Sequence, residues 1–214
     1  MTKITFRGYN RVKFQSLKLG KTVFCSSLLL RDFLLHLEQD KSVQSYELKP
    51  FKIFYTLNER RRNIQPHVLV KSKQELCIIW LKSSAIIEED FELTVRIITN
   101  FCETRGFRFA VKFADEIRRE PTFSNLQFLR RYNRSEINLE HTILCRKFFD
   151  EFSTPLLGDL LRFFKNNDET AETVFGLLSK RLVSVDIDSA PISPDIPIKL
   201  ENKFPEFKNG RLIA

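Results

Sequence analysis

At 214 residues, with 43% hydrophobic side chains, 21 Phe and only 6 Gly and 8 Pro, the chain can build one large domain or two small ones and is not a low-complexity or disordered segment. Its formal charge of +8 is unevenly spread: residues 1–134 carry 25 Lys and Arg against 14 Asp and Glu, and residues 135–214 carry 10 against 13. The first part therefore suits a polyanion and the second does not, the plain alternative being surplus cations that keep a surface soluble.

No apolar run approaches the roughly 20 residues of a bilayer span, and MTKITFRGYNRVKF lacks a signal-peptide core, so a soluble cytoplasmic protein is expected. Cys25, Cys77, Cys102 and Cys145 form no C-x-x-C pair, and His36, His67 and His141 are scattered. Buried thiols are expected, with no zinc site, no disulfide framework and no cofactor.

In chain order, residues 27–38 read as a helix capped by Ser26 or Ser27 and apolar on more than one face, hence largely buried. VQSYELKP, FKIFYTL, NIQPHVLVKS and ELCIIWLK follow as strands, the last two apolar enough for a sheet interior. Asn58-Glu59-Arg60 fits the turn after FKIFYTL. A second helix is predicted from about Glu88 to Thr104, with Phe91, Val95, Ile98 and Cys102 at helical spacing and Gly106 as its stop. FRFAVKF returns as a strand, so residues 75–113 predict a parallel crossover. Helix, mixed sheet, crossover helix, strand is the order of a restriction-endonuclease-like α/β core.

Near Asn133 the character changes. Helices are predicted near 138–151, 154–165 and 169–181, with Thr154-Pro155 starting the second, then an alternating strand LVSVDID and an extended segment with Pro191, Pro194 and Pro197. The expected division is a restriction-endonuclease-like domain over 1–134, a small winged-helix-like domain over 135–200, and a tail over 201–214.

Three stretches, SSLLLRDFLLHLEQD, NIQPHVLVKS and ELCIIWLKSSA, are arranged in a way that resembles the TnsA family, the endonuclease subunits of heteromeric transposases. KFQSLKLGKT, Tyr46-Glu47-Leu48-Lys49-Pro50, IRREPTFSNLQFLRRY and VSVDIDSAPISPDIPI extend the likeness in order over nearly the whole chain. In that family a helix Glu precedes Arg-Asp-Phe, a strand supplies Pro-Asp, and the next strand ends in Glu-x-Lys. Here those acids fall on Leu30, His67 and Trp80, and only Lys82 remains. Metal-dependent phosphodiester hydrolysis needs carboxylate oxygens to hold hard Mg²⁺ ions, which these three side chains cannot supply.

The resemblance thus implies a frame kept and a chemistry lost, with Trp80 expected to fill the emptied pocket beside Leu30 and His67. Among nearby acids, Glu38 lies 8 residues past Leu30, roughly 12 Å along the axis, and Asp32 about 200° away in rotation. Glu75 sits at the far end of its strand and on the opposite face by alternation, so neither it nor Glu38 restores a site; Asp40 and Glu47 are the other acids nearby. Implied partners are transposon-end DNA, a DDE-type transposase and an AAA+ ATPase regulator, in a prokaryotic cytoplasm. An active nuclease with relocated acids and a standalone DNA-binding regulator are the competing readings.

For phosphate contact the candidates are Arg60, Arg61 and Arg62, then Lys82, then Arg118, Arg119, Arg130, Arg131 and Arg134, the last group interspersed with Phe123, Phe128 and Tyr132. The competing explanation is a charged edge that blocks unwanted pairing. Residues 166–190 carry five acids against Lys180 and Arg181, so the winged-helix-like part is expected to dock protein rather than DNA. Finally KFPEFKNGRLIA (203–214) echoes KFQSLKLGKTVF (13–24). An extended tail is expected, with Phe204, Phe207, Arg211, Leu212 and Ile213 as partner-binding residues and self-association as one outcome; a duplicated peptide, a fusion scar and chance all remain open.

Overall fold

The computed structural model describes residues 12–83 and 90–201, and the backbone of Phe207–Lys208 and Arg211–Leu212. The chain divides into two compact units, the first ending at Arg118 and the second beginning at Arg119. This division precedes the change of character expected near residue 134. The reason is a helix over Thr122–Arg130, unforeseen from its mixed sequence, whose buried Leu126 and Leu129 belong to the second unit.

In the first unit, β1 (Val12–Ser16) and β2 (Lys21–Cys25) form an antiparallel hairpin that the sequence did not announce. Helix α1 (Leu28–Gln39) begins at Ser27, whose hydroxyl accepts from Leu30 N at 3.1 Å. Strands β3 (Val43–Leu48), β6 (Val68–Ser72), β7 (Leu76–Lys82) and β8 (Phe107–Phe113) make one mixed sheet in the order β3-β6-β7-β8. The first three are antiparallel, while β8 runs parallel to β7 through helix α2 (Phe91–Glu103), the crossover expected from the sequence. The short α3 (Ala114–Ile117) follows.

NIQPHVLVKS does not make one strand. Asn63 and Ile64 close β5 (Arg60–Ile64), which pairs only with β4 (Ile53–Leu57), and β6 starts after the break at Gln65–His67. Pro66 has no N–H to give a ladder, so the run is divided there. Arg60, Arg61 and Arg62 accordingly lie on a strand; Asn58 and Glu59 form the turn, both with positive φ (49° and 60°), as the tightest hairpin loops require.

The sheet has two different faces. Tyr46 lies opposite Val70 in the β3–β6 pairing and donates its hydroxyl to Glu38 of α1, so this face meets α1. On the other face Ile78 and the half-buried Leu69 and Phe109 pack with Ile53 and Ile64 of the hairpin and with Ile98 and Cys102 of α2.

In the second unit, α4 (Thr122–Arg130) precedes α5 (Leu139–Glu151), α6 (Leu157–Lys165) and α7 (Ala171–Ser179). The antiparallel pair β9 (Val183–Val185) and β10 (Ile198–Leu200) follows. The core joins Phe148, Leu157, Leu160, Phe164, Val174 and Leu177. Pro155 is not the first residue of α6. Its carbonyl accepts from Ile198 N at 3.1 Å, and the helix instead starts after Leu156, whose N–H donates to Asp159 at 3.0 Å. Asn125 of α4 receives Ile192 N on its carbonyl and donates its amide to Ile187 O and Ala190 O at 2.8–2.9 Å. Residues 117–132 and 183–198 therefore meet through one buried amide.

The tail departs from the extended peptide expected. Phe207–Lys208 (β11) pairs antiparallel with Arg211–Leu212 (β12). Among the described residues, no helix is long and apolar enough to cross a membrane.

Candidate functional site

Leu30 and Trp80 lie toward opposite faces of the sheet. Leu30 is 1% exposed on α1 and lies under an open groove of about 680 Å³ whose walls include Lys21, Phe24, Tyr46, Glu47 and Lys49. His67 sits in the backbone ladder. Its carbonyl accepts from Lys49 N at 2.9 Å, its N–H donates to Ile79 O at 3.0 Å, and its ring Nδ1 accepts from Leu81 N at 3.1 Å. Burial, and then the Lys49 charge, lower the His67 pKa from its ordinary value. A ring kept neutral fits the acceptor role of Nδ1.

Trp80 does not fill a pocket beside Leu30. By strand alternation it shares the face of Ile78, away from α1, where its ring stacks on Phe91 of α2 at 5.9 Å. Lys82, two residues on, follows the same face and sets its Nζ over Trp80 at 5.0 Å and over Phe91 at 5.6 Å. A cation over two aromatic faces is stabilised there, which accounts for a Lys at the strand end without any phosphate.

The neighbouring acids are already engaged. Glu38 is buried. Its Oε1 accepts from Ser16 Oγ and Tyr46 Oη, both at 2.7 Å, and its Oε2 from Leu17 N and Lys18 N at 3.0 and 3.1 Å. This carboxylate ties the β1–β2 hairpin to α1 and the sheet, and it explains why Ser16 is buried. Beside it, burial first and foremost raises the Tyr46 phenol pKa, so Tyr46 acts as a donor.

Asp32, 1% exposed, accepts from Arg31 Nε on Oδ1 and from Arg118 Nε on Oδ2, each at 2.9 Å, as a buried carboxylate requires. Asp40 caps its own turn through Ser42, and Glu75 pairs with Arg108 at 2.9 Å. Of these acids, only Glu47 lines the groove, where it is exposed. Among the described residues no three His, Cys, Asp or Glu side chains converge to hold a metal ion. The donor set at Leu30, His67 and Trp80 does not fit Mg²⁺, which is held by carboxylate oxygens.

The basic candidates fare differently from one another. On the β4–β5 hairpin, Ile53, Leu57 and Ile64 turn inward, while Phe54, Thr56, Arg61 and Asn63 are exposed. Arg62 alternates with Arg61 and reaches Asp90 at 3.1 Å; Arg60 is exposed beside the turn. The second basic group is divided by the unit boundary. Arg118 belongs to the first unit and is committed to Asp32, while Arg119, Arg131 and Arg134 are exposed in the second and Arg130 is half-buried. Phe128 and Tyr132 are not available to stack on bases, because both pack on Phe175 of α7, at 5.0 and 4.8 Å; Phe123 is half-buried on α4.

In the tail, Phe204 and Ile213 lie outside the described residues, and Phe207, Arg211 and Leu212 are described by their backbone alone. The echo of residues 13–24 does not carry into strand pairing. Lys21 faces Ser16 across Leu17–Gly20 in the N-terminal hairpin, whereas the aligned Arg211 faces Lys208. Glu206 also stands where Ser16 does in the alignment, and a carboxylate there would meet Glu38 rather than donate to it.

Sequence reasoning passed over Phe54. The signal was present: in FKIFYTL the inward positions are 51, 53, 55 and 57, which leaves Phe54 the apolar residue at an outward one. Compared with protein-family models and with curated proteins, the sequence matches none.

Proposed function

We propose that this chain is a TnsA-like subunit of a heteromeric transposase that has lost its metal-binding acids and serves DNA transposition as an architectural or activating component. On this reading the first unit contacts DNA at transposon ends, and the second docks a DDE-type transposase and an AAA+ regulator. What supports the reading is that the three positions where the resemblance expects acids hold ordered, non-acidic side chains. Leu30 is buried, His67 is held by backbone hydrogen bonds, and Trp80 is stacked on Phe91. The four-stranded mixed sheet with its α2 crossover is compatible with a nuclease-like core.

The second unit supports a winged-helix reading through its element order, α5, α6, α7 and the β9–β10 hairpin, with a bridge between Leu156 and Pro197 adding a third short strand position. If so, α7 is the helix that would enter a groove, and it is poorly suited to the task. Thr173, Val174, Gly176, Leu177, Leu178 and Ser179 are buried, and α4 packs on it. Gly176 is so close to the 135–137 segment that a Cβ there would lie 2.8 Å from Ser135 Cβ. Protein docking suits this unit better, and Leu139 and Ile143, exposed one helical turn apart on α5, supply an apolar contact.

The test uses purified full-length protein with supercoiled and transposon-end DNA in Mg²⁺ or Mn²⁺. The expected result is salt-sensitive binding, no nicking, and stimulation or bridging of the transposase when it is added. Metal-dependent cleavage by the chain alone would overturn the reading; tight, specific end binding that leaves transposase activity untouched would favour a standalone regulator.

A further inference from the structure

We propose that the β4–β5 hairpin is a nucleic-acid-binding ribbon in which Phe54 stacks on an unpaired base while Lys52 and Arg61 hold the neighbouring phosphates. The inference rests on the reading that the first unit contacts DNA, and it names the form of DNA preferred: a strand with exposed bases, single or locally melted.

Phe54 is 70% exposed, the highest value among the exposed large hydrophobic residues described. It stands opposite Asn63, and Thr56, the next outward position on β4, stands opposite Arg61. Lys52, just before β4, is exposed as well. Among the described residues this outward face carries no carboxylate: Glu59 is in the turn, and Asp90 is held by Arg62 and Asn58. The inner face is fixed by Ile53, Leu57 and Ile64, all buried, so the aromatic ring is presented from a strand whose register is set by its core side.

Charged residues that blunt an unpaired strand edge would explain Arg60, Arg61 and Arg62. They would not explain a Phe at the centre of that face, which weakens such protection. An aromatic platform flanked by cations is the arrangement that recognises single strands, since every base offers a π face and every nucleotide a phosphate. In a duplex the same ring can act only as a wedge, after the cost of unstacking a base step.

The experiment measures binding of full-length protein to three fluorescein-labelled DNAs of one sequence: a duplex, the duplex with a central mismatched bubble, and the single strand. Wild type is expected to prefer bubble and single strand. Phe54→Ala should weaken those two by about tenfold, leave duplex binding within about twofold, and leave the salt slope unchanged. Arg61→Ala should instead lower the slope by about 0.7 on the single strand. Phe54→Trp should retain affinity and show emission quenched on binding. Thermal melts of each variant matching wild type confirm folding, as expected for exposed positions. If wild type binds with steep salt dependence and Phe54→Ala matches it on all three DNAs, the inference fails and the DNA-contact reading stands. If wild type binds none of them, both fall.

Discussion

Glu38 offers the sharpest test, because a structural carboxylate and a displaced catalytic one respond differently to the same two substitutions. The side chain accepts four hydrogen bonds, two from hydroxyls on Oε1 and two from backbone N–H groups on Oε2. In Glu38→Ala all four donors lose their acceptor around a buried cavity. Hydrogen bonds to a charged group are worth about 1.5–3 kcal/mol each and their loss is not additive, so a destabilisation of about 4 kcal/mol is expected, at the severe end for single substitutions.

Glu38→Gln is milder for a geometric reason. Its carbonyl can take the Leu17 and Lys18 N–H groups while its amide donates to the Ser16 and Tyr46 hydroxyls, which can turn to accept. The loss is then the charge-assisted part, about 1–2 kcal/mol. Urea denaturation of full-length protein followed by Trp80 fluorescence reads the first unit, and the midpoints should fall in the order wild type, Gln, Ala. A catalytic Glu38 predicts the reverse separation: both variants equally inactive in a metal-dependent cleavage assay, with the Gln protein as stable as wild type. An Ala variant within about 1 kcal/mol of wild type, the net worth of a single ordinary hydrogen bond, refutes the structural argument.

Three further outcomes are expected. The His67 pKa is lowered on folding, so the unfolded chain binds more protons below about pH 6.5, the ordinary imidazole value; stability is full above that pH and declines as pH falls, and His67→Gln should flatten this part of a melting-temperature profile between about pH 7 and 5. Gly176→Ala should destabilise the second unit by about 1–2 kcal/mol, because overpacking against Ser135 outweighs the helix-propensity gain; urea titration of the variant checks this, and Ser135→Gly in the same chain should restore part of the loss. Deleting residues 201–214 should reduce capture of transposase or ATPase while light scattering shows an unchanged mass, since Glu206 opposes packing of the tail at Glu38; a changed mass would restore the tail as a self-association element.

The sequence by itself determined the α/β class, the interior strands β6 and β7, the α2 crossover, and helices α5, α6 and α7 of the second unit, though not α4. Each is written in local signals: apolar periodicity, caps and Gly stops act within a turn or a strand of the residue concerned. It also carried the identities of Leu30, His67 and Trp80, non-acidic residues where the resemblance expects acids. What only the tertiary structure decided depends on partners distant in sequence. Ser16 and Glu38 are polar residues that become core because each satisfies the other, and no periodicity reports that. Trp80 was expected beside Leu30, but strand register puts it on the opposite face, where Phe91 receives it. Arg118, apparently one of a basic group, is taken by buried Asp32, 86 residues away, and Phe54 is left outward because Ile53, Leu57 and Ile64 claim the core side of its hairpin. Composition sets how many charges and aromatics a chain has; burial, which requires every buried polar group to find a partner, sets which of them remain for other molecules.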